Sequence, residues 1–97
     1  MNVETTFIQD LVVLTPDVFE DSRGYFFEGY NKNKLSALGI DIEFVQDNQS
    51  FSQRGTLRGL HYQNPPYAQT KLVRVLQGEI MDVAVDLRKD SPTYGQH

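Results

Sequence analysis

The sequence has no cysteine and no tryptophan among its 97 residues. Without cysteine the chain has no disulfide, no thiolate metal ligand and no thiol nucleophile. No stretch approaches the roughly 18 consecutive apolar residues of a membrane-spanning helix. The first residues also lack the basic and then apolar pattern of a secretion signal. We therefore expect a cytoplasmic protein that has no membrane partner.

Positive charge is also scarce, because nine Lys and Arg residues face thirteen Asp and Glu residues, for a net charge of −4. A nucleic-acid-binding domain usually carries a basic surface, so we expect no nucleic-acid partner. The hydrophobic fraction of 39% and the charged fraction of 23% are typical of a soluble globular chain. The length allows one small domain.

Extended segments dominate the pattern. Residues Phe7–Leu14 and Gly24–Tyr30 are predicted strands, with a turn-prone stretch at residues 20–24 between them. The segment Asn31–Leu38 predicts a helix of one or two turns, because it begins with a capping Asn and is followed by Gly39. Further extended runs are predicted at residues 44–45 and 56–62.

Apolar and polar residues alternate in Lys71–Leu76 and Glu79–Leu87, on either side of the turn residues 77–78. This pattern predicts a β-hairpin. Many short strands at such spacing indicate an all-β sandwich or jelly roll. No closing element follows residue 90, and an open sheet would expose unpaired edge groups. We therefore interpret the chain as part of a longer protein.

Two polar clusters have a composition that suits nucleotide binding. The first, residues 21–28, combines Arg23 with Phe26 and Glu28, and a guanidinium beside aromatic rings suits a phosphate and a base. A β-turn followed by a core strand explains the same residues. The second cluster comprises Gln46, Asp47, Asn48, Gln49 and Ser50. Such side chains hydrogen-bond bases and sugars, but they also populate ordinary loops.

Two further clusters could supply chemistry. Arg58 and His61 lie in the apolar run of residues 57–63, and histidine is the side chain best suited to proton transfer near neutral pH. A structural histidine is the alternative. Lys71 follows residues 68–70 at the start of a predicted strand and could stabilise an oxyanion, although a solvated lysine at a strand end is common.

A metal site is not expected. A His-x-His pair would supply ligands, but Tyr62 and Gln63 follow His61, and the other histidine is His97. With no cysteine available, the set of ligands is too small for a catalytic metal.

Taken in order and spacing, these clusters resemble the dTDP-4-dehydrorhamnose 3,5-epimerase family of cupin-type proteins. The resemblance extends from Phe7 onward and is carried by residues 19–28, 45–50, 55–63, 69–75, 78–88 and 91–95. It implies an all-β fold, a cupin-type jelly roll or double-stranded β-helix. Because family members are nearly twice this length, residues 1–97 are expected to form the N-terminal portion of a single epimerase domain.

The resemblance also implies a mechanism. The family's substrate is a dTDP-linked 4-keto-6-deoxy sugar, in which one ketone at C4 acidifies the hydrogens on C3 and C5. His61 is then the base and Lys71 the group that stabilises the enolate oxygen. The family's proton-donating tyrosine and the aspartate that pairs with the histidine belong to the half that is missing here. No cofactor is expected, because nothing is oxidised overall.

The remaining residues are implied to bind the nucleotide. Arg23 and Arg58 resemble pyrophosphate ligands. The groups implied to hold the rest of the nucleotide are Phe26, Glu28, Gln46, Asp47 and Asn48. The family exchanges N-terminal strands across a homodimer, which would place Arg23 and Glu28 in the neighbour's pocket. Two alternatives stay open: an epimerase that acts at C3 or C5 alone, and an inactive fragment that binds nucleotide sugar or simply associates.

Overall fold

The computed structural model describes residues 1–97 and contains two small antiparallel sheets and one short helix. In chain order the elements are β1 (Asn2–Thr5), β2 (Val12–Thr15), β3 (Val18–Asp21), β4 (Gly24–Phe27) and α1 (Lys32–Ala37). Strand β1 pairs with β2, and β3 pairs with β4. No helix of the structure has the length and apolar character that a membrane crossing requires.

The first hairpin replaces the single extended segment that was predicted for Phe7–Leu14. The Thr6 hydroxyl donates to the Leu11 carbonyl at 2.9 Å, and the Thr6 N–H donates to the same oxygen at 3.2 Å. Asp10 adopts a φ of 69°, a left-handed conformation that Asp tolerates better than most residues. The prediction was wrong because these contacts fold residues 6–11 into the loop of the hairpin.

The second hairpin confirms the predicted turn. Strands β3 and β4 pair from Val18 opposite Phe27 to Asp21 opposite Gly24. The Asp21 carboxylate accepts the Arg23 N–H at 2.8 Å, which mimics a backbone turn. Gly24 has a φ of 135°, a conformation that side chains rarely allow. Strand β3 was not predicted, and β4 ends at Phe27 rather than at Tyr30.

The predicted helix is confirmed. Asn31 precedes α1, and its side chain accepts the Lys34 N–H at 3.1 Å. Leu38 caps the other end, and Gly39 follows with a φ of 86°. Leu35 is 2% exposed and packs inward, whereas Leu38 stays exposed. The short helix therefore contributes one anchoring side chain.

The strands predicted beyond residue 40 are not formed in this chain. No backbone hydrogen bond joins Lys71–Leu76 to Glu79–Leu87, although Gly78 has the positive φ that a turn would use. Residues 44–45 and 56–62 are likewise not paired as strands. The predictions were wrong because the alternation of apolar and polar residues determines only on which face of a strand each side chain lies. A strand also needs a partner strand for its N–H and C=O groups.

The chain buries very little of itself. Only Ile8, Leu35 and Asp86 are buried, and many large apolar side chains are exposed. The radius of gyration is 15.6 Å, against about 12.5 Å expected for a compact domain of this length. Most apolar side chains of the later segments therefore lack a packing partner within the chain.

One buried carboxylate organises the end of the chain. The Asp86 side chain is 1% exposed and accepts hydrogen bonds from the Arg88 Nε at 2.9 Å, the Ser91 hydroxyl at 2.5 Å and the Thr93 hydroxyl at 2.6 Å. The Asp86 backbone carbonyl accepts the Gly95 N–H at 2.7 Å. These donors, Arg88 foremost, hold the pKa of Asp86 far below its ordinary value.

The same arginine connects both ends of the chain. Arg88 Nη2 donates to the Gln9 carbonyl at 2.9 Å, and its Nη1 lies 3.3 Å from the Asp10 carboxylate. The loop of the first hairpin is thereby held against the turn at residues 86–96. This contact fixes the N-terminal sheet relative to the C-terminal turn.

We expect Asp86→Asn to loosen this turn, because a neutral amide replaces a charged carboxylate that accepts hydrogen bonds from Arg88, Ser91 and Thr93. Exchange of the Gly95 amide at pH 7 should accelerate about tenfold or more. In the unchanged chain, the charged Asp86 carboxylate stabilises the turn at every pH above the ordinary pKa of Asp. Because the pKa of Asp86 is lowered in the folded state, this stabilisation is lost only as the pH falls from the ordinary pKa toward the lowered one. Hydrogen exchange followed by NMR at pH 7, 4 and 3 measures both effects.

Asp90→Asn is the matched control, because Asp90 is exposed in the adjacent turn. Equal protection of the Gly95 amide in the Asp86→Asn variant and the unchanged chain would contradict a structural role for the carboxylate.

Candidate active site and nucleotide-binding residues

The two predicted catalytic residues line the same cleft. This cleft has a volume of about 290 Å³ and is lined by His61, Tyr62, Gln63, Ala68, Gln69 and Lys71. The chain reverses between its two sides, where the Tyr67 N–H donates to the Asn64 carbonyl at 2.8 Å. The side chains of His61 and Lys71 therefore line one open cleft.

The cleft is open to water within this chain, because all of its lining residues are exposed. Electrostatic stabilisation of a developing charge is strongest where water is excluded. Within residues 1–97, the polar groups of this cleft are therefore in contact with water. Tyr62, Gln63 and Gln69 also line the cleft but were not predicted as site residues. The only sequence signal for them is that they lie within two residues of His61 or Lys71.

A glycine sets the direction of the backbone that leads to His61. Gly59 has a φ of 111°, which residues with a side chain rarely adopt. A Cβ at this position would lie 3.7 Å from His61 Nδ1, an ordinary contact distance. The requirement for glycine therefore comes from the backbone conformation and not from crowding.

A second cleft, at β3 and β4, holds two of the predicted nucleotide-binding residues. Its volume is about 270 Å³, and its lining consists of Phe19, Asp21, Arg23, Gly24, Tyr25 and Phe26. Arg23 Nη2 lies 2.6 Å from the Asp21 carboxylate, and this pair raises the pKa of Arg23 and lowers that of Asp21. The side chain of Arg23 is 88% exposed. An incoming anion would therefore reach the guanidinium from solvent and compete with Asp21.

Glu28 lies just beyond β4 and forms an ion pair with Lys34 at 2.8 Å. The Lys34 ammonium, together with a hydrogen bond from Asn31, lowers the pKa of Glu28. Glu28 is thus held as a carboxylate next to the first turn of α1. It lines neither of the two clefts.

The remaining predicted residues also lie outside both clefts. Gln46 Nε2 donates to the Asn48 Oδ1 at 3.3 Å, and Arg58 Nε donates to the Ser52 hydroxyl at 3.0 Å. Asp47 is exposed between Gln46 and Asn48. The chain by itself therefore does not gather its predicted nucleotide ligands into one pocket.

No three histidine or carboxylate side chains come close enough to hold a metal ion. His61 is the only histidine in its cleft, and the other lining residues offer amide, phenol and ammonium groups. The expectation that the chemistry needs no metal stays a prediction.

Comparison with known proteins identifies the family. The family profile described as dTDP-4-dehydrorhamnose 3,5-epimerase matches residues 5–97. The epimerase of Shigella flexneri is 56% identical over 97 residues, which cover 99% of this chain and 54% of that protein. The epimerase of Methanothermobacter thermautotrophicus is 52% identical over 91 residues, which cover 94% of this chain and 49% of that protein.

Solved structures agree. A crystal structure of the Bacillus anthracis epimerase with TDP and PPi bound superimposes with a TM-score of 0.94 at 55% identity, covering 98% of this chain and 55% of that one. The Elizabethkingia anophelis epimerase gives a TM-score of 0.89 at 50% identity, covering 97% of this chain and 52% of that one. The chain spans about half the length of the relatives it matches. On this evidence the chain belongs to the dTDP-4-dehydrorhamnose 3,5-epimerase family.

Proposed function

We propose that this chain carries the proton-abstracting half of the active site of a dTDP-4-dehydrorhamnose 3,5-epimerase. The observation that supports this most directly is the shared cleft, which His61 and Lys71 line together. The substrate is a dTDP-linked 4-keto-6-deoxy sugar, dTDP-4-dehydro-6-deoxy-glucose. The product is dTDP-4-dehydro-L-rhamnose, an intermediate on the route to dTDP-L-rhamnose.

The C4 ketone makes one base sufficient for both carbons. His61 takes the proton from C3 or C5, the C–H electron pair forms a C=C bond, and the carbonyl electrons move onto the oxygen. The ammonium of Lys71 stabilises that negative oxygen. Because the sugar is neither oxidised nor reduced overall, the reaction needs no cofactor.

Inversion requires a proton from the opposite face of the enolate. By resemblance to the family, this acid is a tyrosine that belongs to the second half. The aspartate that orients the histidine belongs to that half as well. Without that acid, the base returns the proton to the face from which it came. The chain therefore supplies one half of a two-sided reaction.

The dTDP group of the substrate positions the sugar. Arg23 and Arg58 bind the pyrophosphate, Phe26 stacks on the base, and Glu28 holds the nucleoside. Gln46, Asp47 and Asn48 complete the contacts. Binding TDP, as the Bacillus anthracis relative does, would require Arg23 to exchange the Asp21 carboxylate for a phosphate. Replacing the carboxylate by a phosphate requires little free energy, because the Arg23–Asp21 ion pair is exposed to solvent.

Assembly would bring these groups to the catalytic cleft. In a homodimer that exchanges N-terminal strands, Arg23 and Glu28 enter the neighbour's pocket, which accounts for their separation from the His61–Lys71 cleft. The completed fold is a cupin-type jelly roll in the cytoplasm. An epimerase specific for C3 or C5 would use the same base and lysine, and deuterium uptake at only one carbon would reveal it.

We expect His61→Ala to abolish proton exchange at both C3 and C5 while leaving the affinity for dTDP unchanged, because one base serves both carbons. The protein for this test joins residues 1–97 to the second half of the Shigella flexneri relative. Deuterium uptake into the substrate in D2O, followed by NMR, measures exchange. His97→Ala is the matched control, since His97 lies outside the cleft. Exchange retained at either carbon by the His61→Ala variant would contradict a single shared base.

Chelation should leave the reaction intact. We expect the same joined protein to keep its full rate after prolonged treatment with EDTA and gel filtration, because Lys71, and not a metal, stabilises the enolate. The rate is measured by coupling to the reductase that consumes the product. Activity that is lost with EDTA and restored by one divalent ion would disprove this assignment.

Residues 1–97 alone should be at best a weak epimerase. Loss of a positioned general acid costs about 10²–10⁴-fold in rate, so inversion should fall by at least that range relative to the joined protein. The exposed apolar side chains and unpaired backbone should favour association. The coupled assay and size-exclusion chromatography with light scattering measure these effects. A monomeric chain that inverts the sugar at the full rate would show that the acid lies within these residues.

A further inference from the structure

The cleft that His61 and Lys71 share has two walls, and each wall carries a glutamine. Gln63 lies on the wall of His61, and Gln69 lies on the wall of Lys71. The chain reverses between the walls at the turn of residues 64–67. The base and the lysine have assigned roles in the reaction, whereas neither amide has one.

Gln69 lies on the same side of its segment as Lys71. Both residues line the cleft, whereas Thr70 between them does not. This alternation is typical of extended backbone, in which residues two positions apart share a face and lie roughly 6.6 Å apart. The amide of Gln69 and the ammonium of Lys71 can therefore contact neighbouring groups of one bound molecule.

The side chain of Gln69 is available to a ligand. It is exposed, and among the glutamine side chains only that of Gln46 forms a hydrogen bond within the chain. A primary amide offers both a C=O acceptor and an NH2 donor, which suits a hydroxyl group. Because the amide is neutral, it does not compete with the ketone oxygen for the Lys71 ammonium, as a carboxylate at this position would.

The shape of the sugar indicates which hydroxyl faces this wall. In a gluco-configured chair the hydrogens on C3 and C5 point to one face of the ring, whereas the oxygens on C2 and C4 project from its edge. The wall of His61 therefore faces the hydrogens, and the wall of Lys71 faces the edge. The hydroxyl on C2 is also the only sugar hydroxyl whose carbon is not inverted, so a hydrogen bond to it can persist throughout the reaction.

We propose that Gln69 is a specificity-determining residue, whose side-chain amide forms a hydrogen bond with the C2 hydroxyl of the 4-keto-6-deoxy sugar. The inference rests on the proposed function, because that function places the C4 oxygen at Lys71. A site that binds a hydroxyl through a polar group rejects an analogue that lacks it, since the polar group is then left unpaired. Gln69 therefore makes the site discriminate against 2-deoxy sugars.

The test uses the protein that joins residues 1–97 to the second half of the Shigella flexneri relative. Gln69→Met removes the amide and keeps an unbranched side chain of similar length. It should lower kcat/KM for deuterium uptake about tenfold with the substrate, and less than about twofold with the analogue dTDP-4-dehydro-2,6-dideoxy-glucose, because only the substrate loses a hydrogen bond. The unchanged protein should itself prefer the substrate to the analogue about tenfold.

Two further glutamines provide matched controls. Gln63→Met changes the other wall of the same cleft, and any loss of rate should be equal with the substrate and the analogue. Gln77→Met changes an exposed residue outside both clefts and should leave both rates unaltered.

Binding of two ligands that have no ketone tests the same contact without the reaction. By calorimetry, the unchanged joined protein should bind dTDP-glucose about tenfold more tightly than dTDP-2-deoxy-glucose. Gln69→Met should abolish this preference, whereas Gln63→Met and Gln77→Met should retain it.

Equal losses of rate with the substrate and the analogue in Gln69→Met, or no loss with either, would overturn the role of Gln69. A dependence on the C2 hydroxyl that disappears in Gln63→Met instead would overturn it as well. A joined protein that binds both dTDP-sugars but exchanges no deuterium into the substrate would refute the proposed epimerase function. In that case the calorimetric preference alone decides whether Gln69 contacts the C2 hydroxyl.

Discussion

A β-strand forms only where its backbone groups can pair with those of another strand, and this requirement controls the rest of the structure. The two N-terminal hairpins and the short helix meet it locally, since their partners are close in sequence. Beyond residue 40 the chain has apolar alternation but no ladder. The segments that carry His61 and Lys71 are therefore placed by turns and side-chain contacts within this chain.

Arginines supply several of these contacts, each with a different partner. Arg88 joins the buried Asp86 carboxylate to the loop of the first hairpin. Arg74 joins the Lys71 segment to β4 through the ring of Phe27. A planar guanidinium can bind a carboxylate with two N–H groups or lie over an aromatic face, which lysine does less well. The chain thus uses long side chains where the backbone leaves its segments unconnected.

The charged side chains of this chain differ in burial, and burial determines whether a ligand can reach them. Asp86 is buried and fully hydrogen-bonded, so its charge stabilises a turn and is not accessible to a ligand. Arg23 is exposed, and its Asp21 partner holds it at the rim of a cleft. His61 and Lys71 are also exposed and share a cleft. The exposed Arg23 can therefore exchange the Asp21 carboxylate for another anion.

Sequence alone determined the features that depend on neighbouring residues. The capping Asn31 and the terminal Gly39 specified the helix, and Asp21 with Gly24 specified the turn of the second hairpin, because each acts within a few residues. The order of the polar clusters was sufficient to indicate the family. Only the tertiary structure decided that His61 and Lys71 line one cleft, that Arg74 lies over Phe27, and that residues 71–87 form no hairpin here. Those outcomes depend on which distant groups meet, and a pattern of side chains does not specify the partners of a backbone.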